Sequence, residues 1–200
     1  MFNLLTSLKK TIYTSLILAT ILFLFLFLQN DGFTFDVIFF SWLVRYIHVI
    51  FGIMWIGLLW YFNFVQIPNM AKIPDEQKPA IVKIIAPAAL FYFRWTALLT
   101  ILSGLLVAYL NGYLKDAITL SIYSDVPKHT AIGIGMWIGI IMAINVWFII
   151  WPSQKKALGI VECDESTKNK SAKIALLTSR INTLLSLPML LTMIASQNLY

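Results

Sequence analysis

His48 and Arg45 lie three residues apart in SWLVRYIHVIFGIMWIGLLWYFNFVQ (residues 41–66), a run otherwise apolar enough to cross a bilayer. An imidazole can ligate haem iron or carry a proton near neutral pH, and a guanidinium beside it can hold an oxyanion. At ~100° per residue, Arg45, His48, Gly52, Trp55, Leu59, Asn63 and Gln66 fall within an arc of roughly 80°. The opposite side is Ile, Phe, Val, Leu and Trp. Charged groups inside hydrocarbon are costly and face protein or a watery cavity, so this stripe is expected to point inward.

Five apolar stretches must position these groups: about 11–29, 37–66, 88–111, 127–151 and 174–196. Each reaches about 20 residues, the length that a ~30 Å hydrocarbon core requires. The expected fold is all-α: one domain over residues 1–200, a polytopic bundle of about five transmembrane helices. Pro68 and Pro152 read as helix stops, and Asn111-Gly112 as the end of the third helix. Ser124 or Asp125 reads as the N-cap of the fourth helix, with Pro127 in its first turn. The fifth is expected to bend or break near Pro188. Residues 1–10 end in Lys9-Lys10 ahead of an apolar core, as in a signal peptide. QNDGFTFD follows that core without a small-x-small cleavage site, so the first helix reads as a retained anchor.

The composition supports this class. Residues are 60% hydrophobic and 12% charged, and the mean hydropathy is +0.81. These values describe an integral membrane protein whose soluble parts are short loops. The net charge of +6 sits in loops beside apolar runs, a topology signal rather than a nucleic-acid surface. Lys9-Lys10 and the loops 67–84 and 152–173 alternate with lysine-poorer connections. The positive-inside rule then places the N-terminus in the cytoplasm and the C-terminus outside. A single cysteine, Cys163, excludes an internal disulfide, a Cys-rich metal site and a C-x-x-C-H haem attachment. No Gly-rich phosphate loop, H-E-x-x-H or G-x-S-x-G occurs. Carboxylates are confined to loops and Asp36, which argues against a paired-carboxylate hydrolase and a carrier with an embedded acid.

Topology and helical rise sort the polar residues by depth. Arg45 and His48 fall in the outer half of the second helix, with Asn63 roughly 22 Å below. His129, the other histidine, opens the fourth helix on the outer side. The inner half collects Asn63, Gln66, Arg94, Asn145, Arg180 and Asn182 from four helices. Two polar layers are expected, an outer imidazole layer and an inner Arg/Asn layer. For His48, a haem ligand or proton-transfer group competes with a structural hydrogen bond to a neighbouring helix. His129, Met54 and Met136 are alternative axial ligands, and packing competes with each. Arg94 and Arg180 suit an anion or snorkel to headgroups, and the asparagines suit interhelical hydrogen bonds. Ala131, Gly135, Gly139 and Ala143, at four-residue spacing, form a ridge for close helix packing.

Four segments, RYIHVIFGIMWIGLLWYFNFVQIP, FRWTALLTILSGLL, NVWFIIWPSQKK and SRINTLLSLPML, together resemble the membrane domain of bacterial membrane-bound urate oxidases (urate hydroxylases). The resemblance runs from about residue 41 to 195. It implies an inner-membrane oxidoreductase that converts urate to 5-hydroxyisourate and passes electrons to a cytochrome c. Carried over by position, the matching residues are Arg45, His48, Trp55, Gly57, Asn63, Arg94, Asn145, Trp147, Arg180 and Asn182. Full members are longer and end in a cytochrome c domain, whereas here electrons would need a separate acceptor. Similar small membrane proteins with a helix-borne histidine bind haem b, which keeps a haem cofactor open, with His48 on the iron and His129, Trp55 and Asn63 as further cofactor-binding candidates. A rival reading is a non-catalytic helical subunit of a larger membrane complex or a homo-oligomer, which the glycine ridge and aromatic load also suit.

Overall fold

The computed structural model describes residues 5–29 and 34–200. The start of the Lys9-Lys10 segment and residues 30–33 of QNDGFTFD lie outside the described residues. With each π-helical stretch counted in the helix that contains it, the described residues form six helices. These are α1 (Leu8–Leu28), α2 (Val37–Met70), α3 (Lys78–Leu110), α4 (Leu114–Ile118), α5 (Pro127–Ala157) and α6 (Glu165–Asn198). All but α4 are long and apolar enough to cross a membrane.

The chain divides into two compact units, Met1–Phe39 and Phe40–Tyr200. In the first, α1 buries none of its residues, and its Phe23 and Phe27 meet Phe39 and Phe35 with ring centroids 5.9 and 6.0 Å apart. Its threonines are tolerated because Thr11, Thr14 and Thr20 donate their hydroxyls to carbonyls four residues back. Asp36 caps α2, accepting from the backbone N–H of Ile38 and Phe39 at 2.9 and 3.1 Å.

In the second unit α6 packs along α5, α3 packs on α5, and α2 reaches α6 at its π-helical stretch. The core between them is Trp55, Leu59, Phe62, Phe93, Ala97, Met142, Val146, Ile150 and Met189. A smaller cluster of Ala108, Ala117, Ile132 and Met136 holds α4 against α3 and α5. The small-residue ridge on α5 is used within the chain. A Cβ on Gly135 would meet Thr192 Oγ1 at 2.8 Å and Met193 Cγ at 3.1 Å, and Gly139 faces Met189.

The helix ends differ from the sequence reading in several places, each with a local cause. Pro68 and Pro152 do not stop their helices; α2 continues to Met70 and α5 to Ala157. Helix α3 likewise begins at Lys78, ten residues ahead of the expected start, and passes through Pro87. Each of these prolines follows a π-helical stretch: Tyr61–Gln66, Ile81–Ile85 and Asn145–Ile150. The residue just before each proline donates five positions back, Ile67 to Phe62, Ala86 to Ile81 and Trp151 to Val146. A wider turn eases the clash of a proline ring with the carbonyl four residues back, so the helix survives. Helix α6 runs unbroken through Pro188 and begins at Glu165, nine residues earlier than expected. Its N-cap, Asp164, accepts from the Thr167 N–H at 2.8 Å and from its hydroxyl at 2.7 Å. These bonds hold the Asp164 carboxyl below its ordinary range. Helix α5 starts after Val126 rather than at Ser124 or Asp125, because Asp125 sits at φ +49° and cannot lead into the helix.

Gly133 on α5 lies so close to α4 that an added Cβ would collide with the Ala117 carbonyl oxygen. Backbone cannot yield as a side chain would. Gly133→Ala is therefore expected to cost about 1–3 kcal/mol, read as a lowered Tm in detergent. Gly57→Ala, where nothing lies within 4 Å of the new Cβ, is expected to leave Tm unchanged or raise it.

Candidate functional site

The polar stripe on α2 meets protein at both ends, through different chemistry. At the Asn63 end, Asn63 Nδ2 donates to Ser179 Oγ of α6 at 2.8 Å and to the Leu59 carbonyl at 2.9 Å. One turn away, Trp60 Nε1 donates to Ser186 Oγ at 3.0 Å. Across the bundle, Asn145 Nδ2 donates to Asn182 Oδ1 at 2.8 Å, and Asn182 Nδ2 donates to the Met142 carbonyl at 2.9 Å. Asn182 is fully buried. These contacts bind α6 to α2 and α5 as side-chain hydrogen bonds in apolar surroundings do. Nothing in this cluster offers a charged or metal-ligating group.

At the other end, His48 Nδ1 lies 2.9 Å from the Thr100 carbonyl and 3.3 Å from Ser103 Oγ. A carbonyl only accepts, so Nδ1 carries the proton, and neutral His48 keeps its lone pair on Nε2. Nε2 has no partner among the described residues. Gly104 makes this approach possible, since a Cβ there would stand 2.8 Å from the imidazole Cε1. His48 lines a half-open cavity of about 650 Å³ bordered by α2, α3, α5 and α6. Its wall is mainly apolar, with Trp55, Ile56, Met136, Met189 and Met193 among the lining. Its polar groups are Arg45, His48, Thr100, Tyr113, Gln197 and Asn198. Arg45 Nη1 donates to Gln197 Oε1 at 3.3 Å, linking α2 to the end of α6. Tyr113, between α3 and α4, has its phenol pushed up by burial, with the Arg45 guanidinium opposing the shift.

The candidates from the sequence therefore separate. Arg45, His48 and Trp55 share the cavity. Asn63, Asn145 and Asn182 serve the interhelical contacts at the far end, and neither they nor Arg94 and Arg180 line the cavity. Arg180 is exposed, because two residues along a helix turn it roughly 200° from buried Asn182. Arg94 lies among aromatic rings instead of joining the asparagines. His129 is also outside the cavity: Nδ1 is 3.0 Å from Asp116 Oδ2, and its ring stacks on Tyr113 at 5.5 Å. Met54 is exposed, whereas Met136 lines the cavity. Gly104 and Gln197 are not picked out by spacing. A glycine on α3 at the depth of His48 is the signal that would have found the first; Gln197 carries none.

For a haem, the fit rests on two features. A ligating imidazole commonly donates its second N–H to a carbonyl, as His48 does to Thr100. The apolar cavity also offers thioethers from α5 and α6 and a guanidinium on α2. His48 would be the ligand, with Met136 or Met193 across the cavity and Arg45 able to meet a carboxylate.

The fold and the site together define a polytopic helical membrane protein with a histidine-bearing cavity between four helices. A family model described as urate oxidase N-terminal matches residues 121–198, which takes in α5 and α6 and bears out the resemblance over that part of the chain. Asn145, Arg180 and Asn182 lie within the match, and Arg45, His48 and Arg94 lie before it. Comparison with curated proteins and with solved structures found no match.

Gly104→Val is expected to expel the imidazole from its place beside Thr100. Histidine NMR in detergent should show loss of the protected Nδ1–H signal, with little change in helix content. A retained signal would mean that α3 yields to the new side chain. Asn182→Ala strands the amide of Asn145 and is expected to cost about 1–2 kcal/mol, measured as a Tm decrease.

Proposed function

We propose that this chain is a membrane-bound oxidoreductase of the urate oxidase kind whose α2/α3/α5/α6 cavity would hold haem b, with His48 as the residue that would ligate it. The observation that carries the reading is the His48–Thr100 hydrogen bond, which fixes the tautomer and leaves Nε2 free on a side chain lining the cavity. A haem in that place would supply one-electron chemistry. The chain's own residues do the rest. Thr100 and Ser103 orient the imidazole, Gly104 gives it room, and the isoleucines and methionines exclude water. Arg45, held by Gln197, balances carboxylate charge at the cavity's polar end.

Urate is the substrate implied by the family match, and its oxidation to 5-hydroxyisourate, with water supplying the new hydroxyl oxygen, would release two protons to solvent and two electrons, one at a time, to a separate acceptor such as cytochrome c. The lysine distribution supports a bacterial inner-membrane placement with the N-terminus and the Asn63 end at the cytoplasm and the His48 end and C-terminus outside.

An absorption spectrum of the purified protein tests the reading directly. A Soret band is expected, and His48→Ala should abolish or shift it. Urate turnover with added cytochrome c should fall in the same variant. Absence of a Soret band together with absence of urate turnover would overturn the proposal; an unchanged spectrum in His48→Ala would remove His48 as the ligand.

A further inference from the structure

Arg94 stands apart from the cavity in an aromatic box. Its guanidinium carbon lies 4.0 Å from the centroid of Trp151, 5.7 Å from Trp147, 5.8 Å from Phe91 and 6.0 Å from Trp95. Trp147 Nε1 donates to the Arg94 backbone carbonyl at 3.1 Å, which locks α3 and α5 together at this level. The box fixes the position of the guanidinium but accepts none of its hydrogen bonds. Arg94 Nε is buried without a partner, and no hydrogen bond to another Arg94 donor is formed among the described residues. Rings satisfy the charge of a guanidinium in part and its N–H groups hardly at all.

A second cation sits on the same indole. Lys155 Nζ, one turn along α5, lies 5.8 Å from the Trp151 centroid. Neither Lys155 nor Arg94 forms an ion pair among the described residues; the carboxylates that do pair engage Lys78, His129 and Lys168. The two cations lie 4.0 and 5.8 Å from one indole centroid and neither has a carboxylate partner among the described residues, so an oxyanion reaching both would meet two uncompensated charges. The level is that of the headgroups, because α5 turns polar here, with Ser153, Gln154, Lys155 and Lys156 following Trp151 and Pro152.

We propose that Arg94 and Lys155, held by Trp151, form a binding site for a phosphate-type oxyanion at the Asn63 end of the bundle. The forked donors of Arg94 take phosphate oxygens in a bidentate manner, and Lys155 supplies the balancing point charge. An anionic phospholipid headgroup and free phosphate both carry this chemistry. The inference is independent of the haem reading, since none of these residues lines the cavity.

The full chain in detergent can be tested by native mass spectrometry with equal amounts of phosphatidylglycerol and phosphatidylcholine. Melting with and without inorganic phosphate, at matched ionic strength, forms the second arm. The wild type should retain phosphatidylglycerol in preference, and Lys155→Gln and Arg94→Gln should lower that retention roughly tenfold. Arg180→Gln, on an exposed face, should not. Lys155 lies near a helix end and outside the buried core, so its variant tests the site even if Arg94→Gln fails to fold. Phosphate raising Tm in the wild type but not in Lys155→Gln, without a lipid preference, would identify a soluble oxyanion as the source. No lipid preference and no phosphate effect would overturn the proposal, as would equal loss in Arg180→Gln and Lys155→Gln.

Discussion

Hydrocarbon offers no hydrogen bonds, so a polar side chain on a membrane-crossing helix must find its partner on another helix or within its own turn. The second unit of this protein is arranged around that constraint. Helix α2 carries most of its polar groups on one face, and four of its side chains find a partner by different routes, while Gln66 Oε1 is buried without one among the described residues. Asn63 reaches Ser179, Trp60 reaches Ser186, His48 reaches the Thr100 carbonyl, and Arg45 reaches Gln197. Helices α3 and α6 sit where they can answer those groups. Threonines and serines without a distant partner, such as Thr96 and Thr100, donate to their own helix.

The same constraint separates structural polarity from polarity with chemistry to spare. At the Asn63 end amide and hydroxyl groups meet one another and the backbone, and the helices close. At the His48 end a cavity remains; Gly104 gives the imidazole its room, and Gly52 and Gly139 also line the space. A fixed imidazole, a guanidinium and thioethers line this apolar space, and the haem proposal rests on them. The amide cluster at the opposite end has no comparable reach.

The π-helical stretches show how the chain lengthens its spans. In α2, α3 and α5 a wide turn precedes a proline, and the helix continues beyond the point at which proline alone predicts a stop. The extended end of α5 brings Trp151 onto Arg94 and carries Lys155 near the same indole. Local sequence rules miss this because relief of the proline clash depends on register over the preceding turn.

By itself the sequence determined the all-helical class, five membrane-length helices and the inward face of α2, because hydropathy and the 3.6-residue period are local properties. It also placed Arg45, His48 and Trp55 on one face, and those three do share the cavity. Only the tertiary structure decided which polar residues meet. It turned Arg180 outward, gave Asn145 and Asn182 to each other, and set His129 beside Asp116. Those outcomes depend on the rotation of each helix about its axis. Contacts between residues more than a hundred positions apart, such as Asn63 with Ser179, fix that rotation, and no local pattern records it.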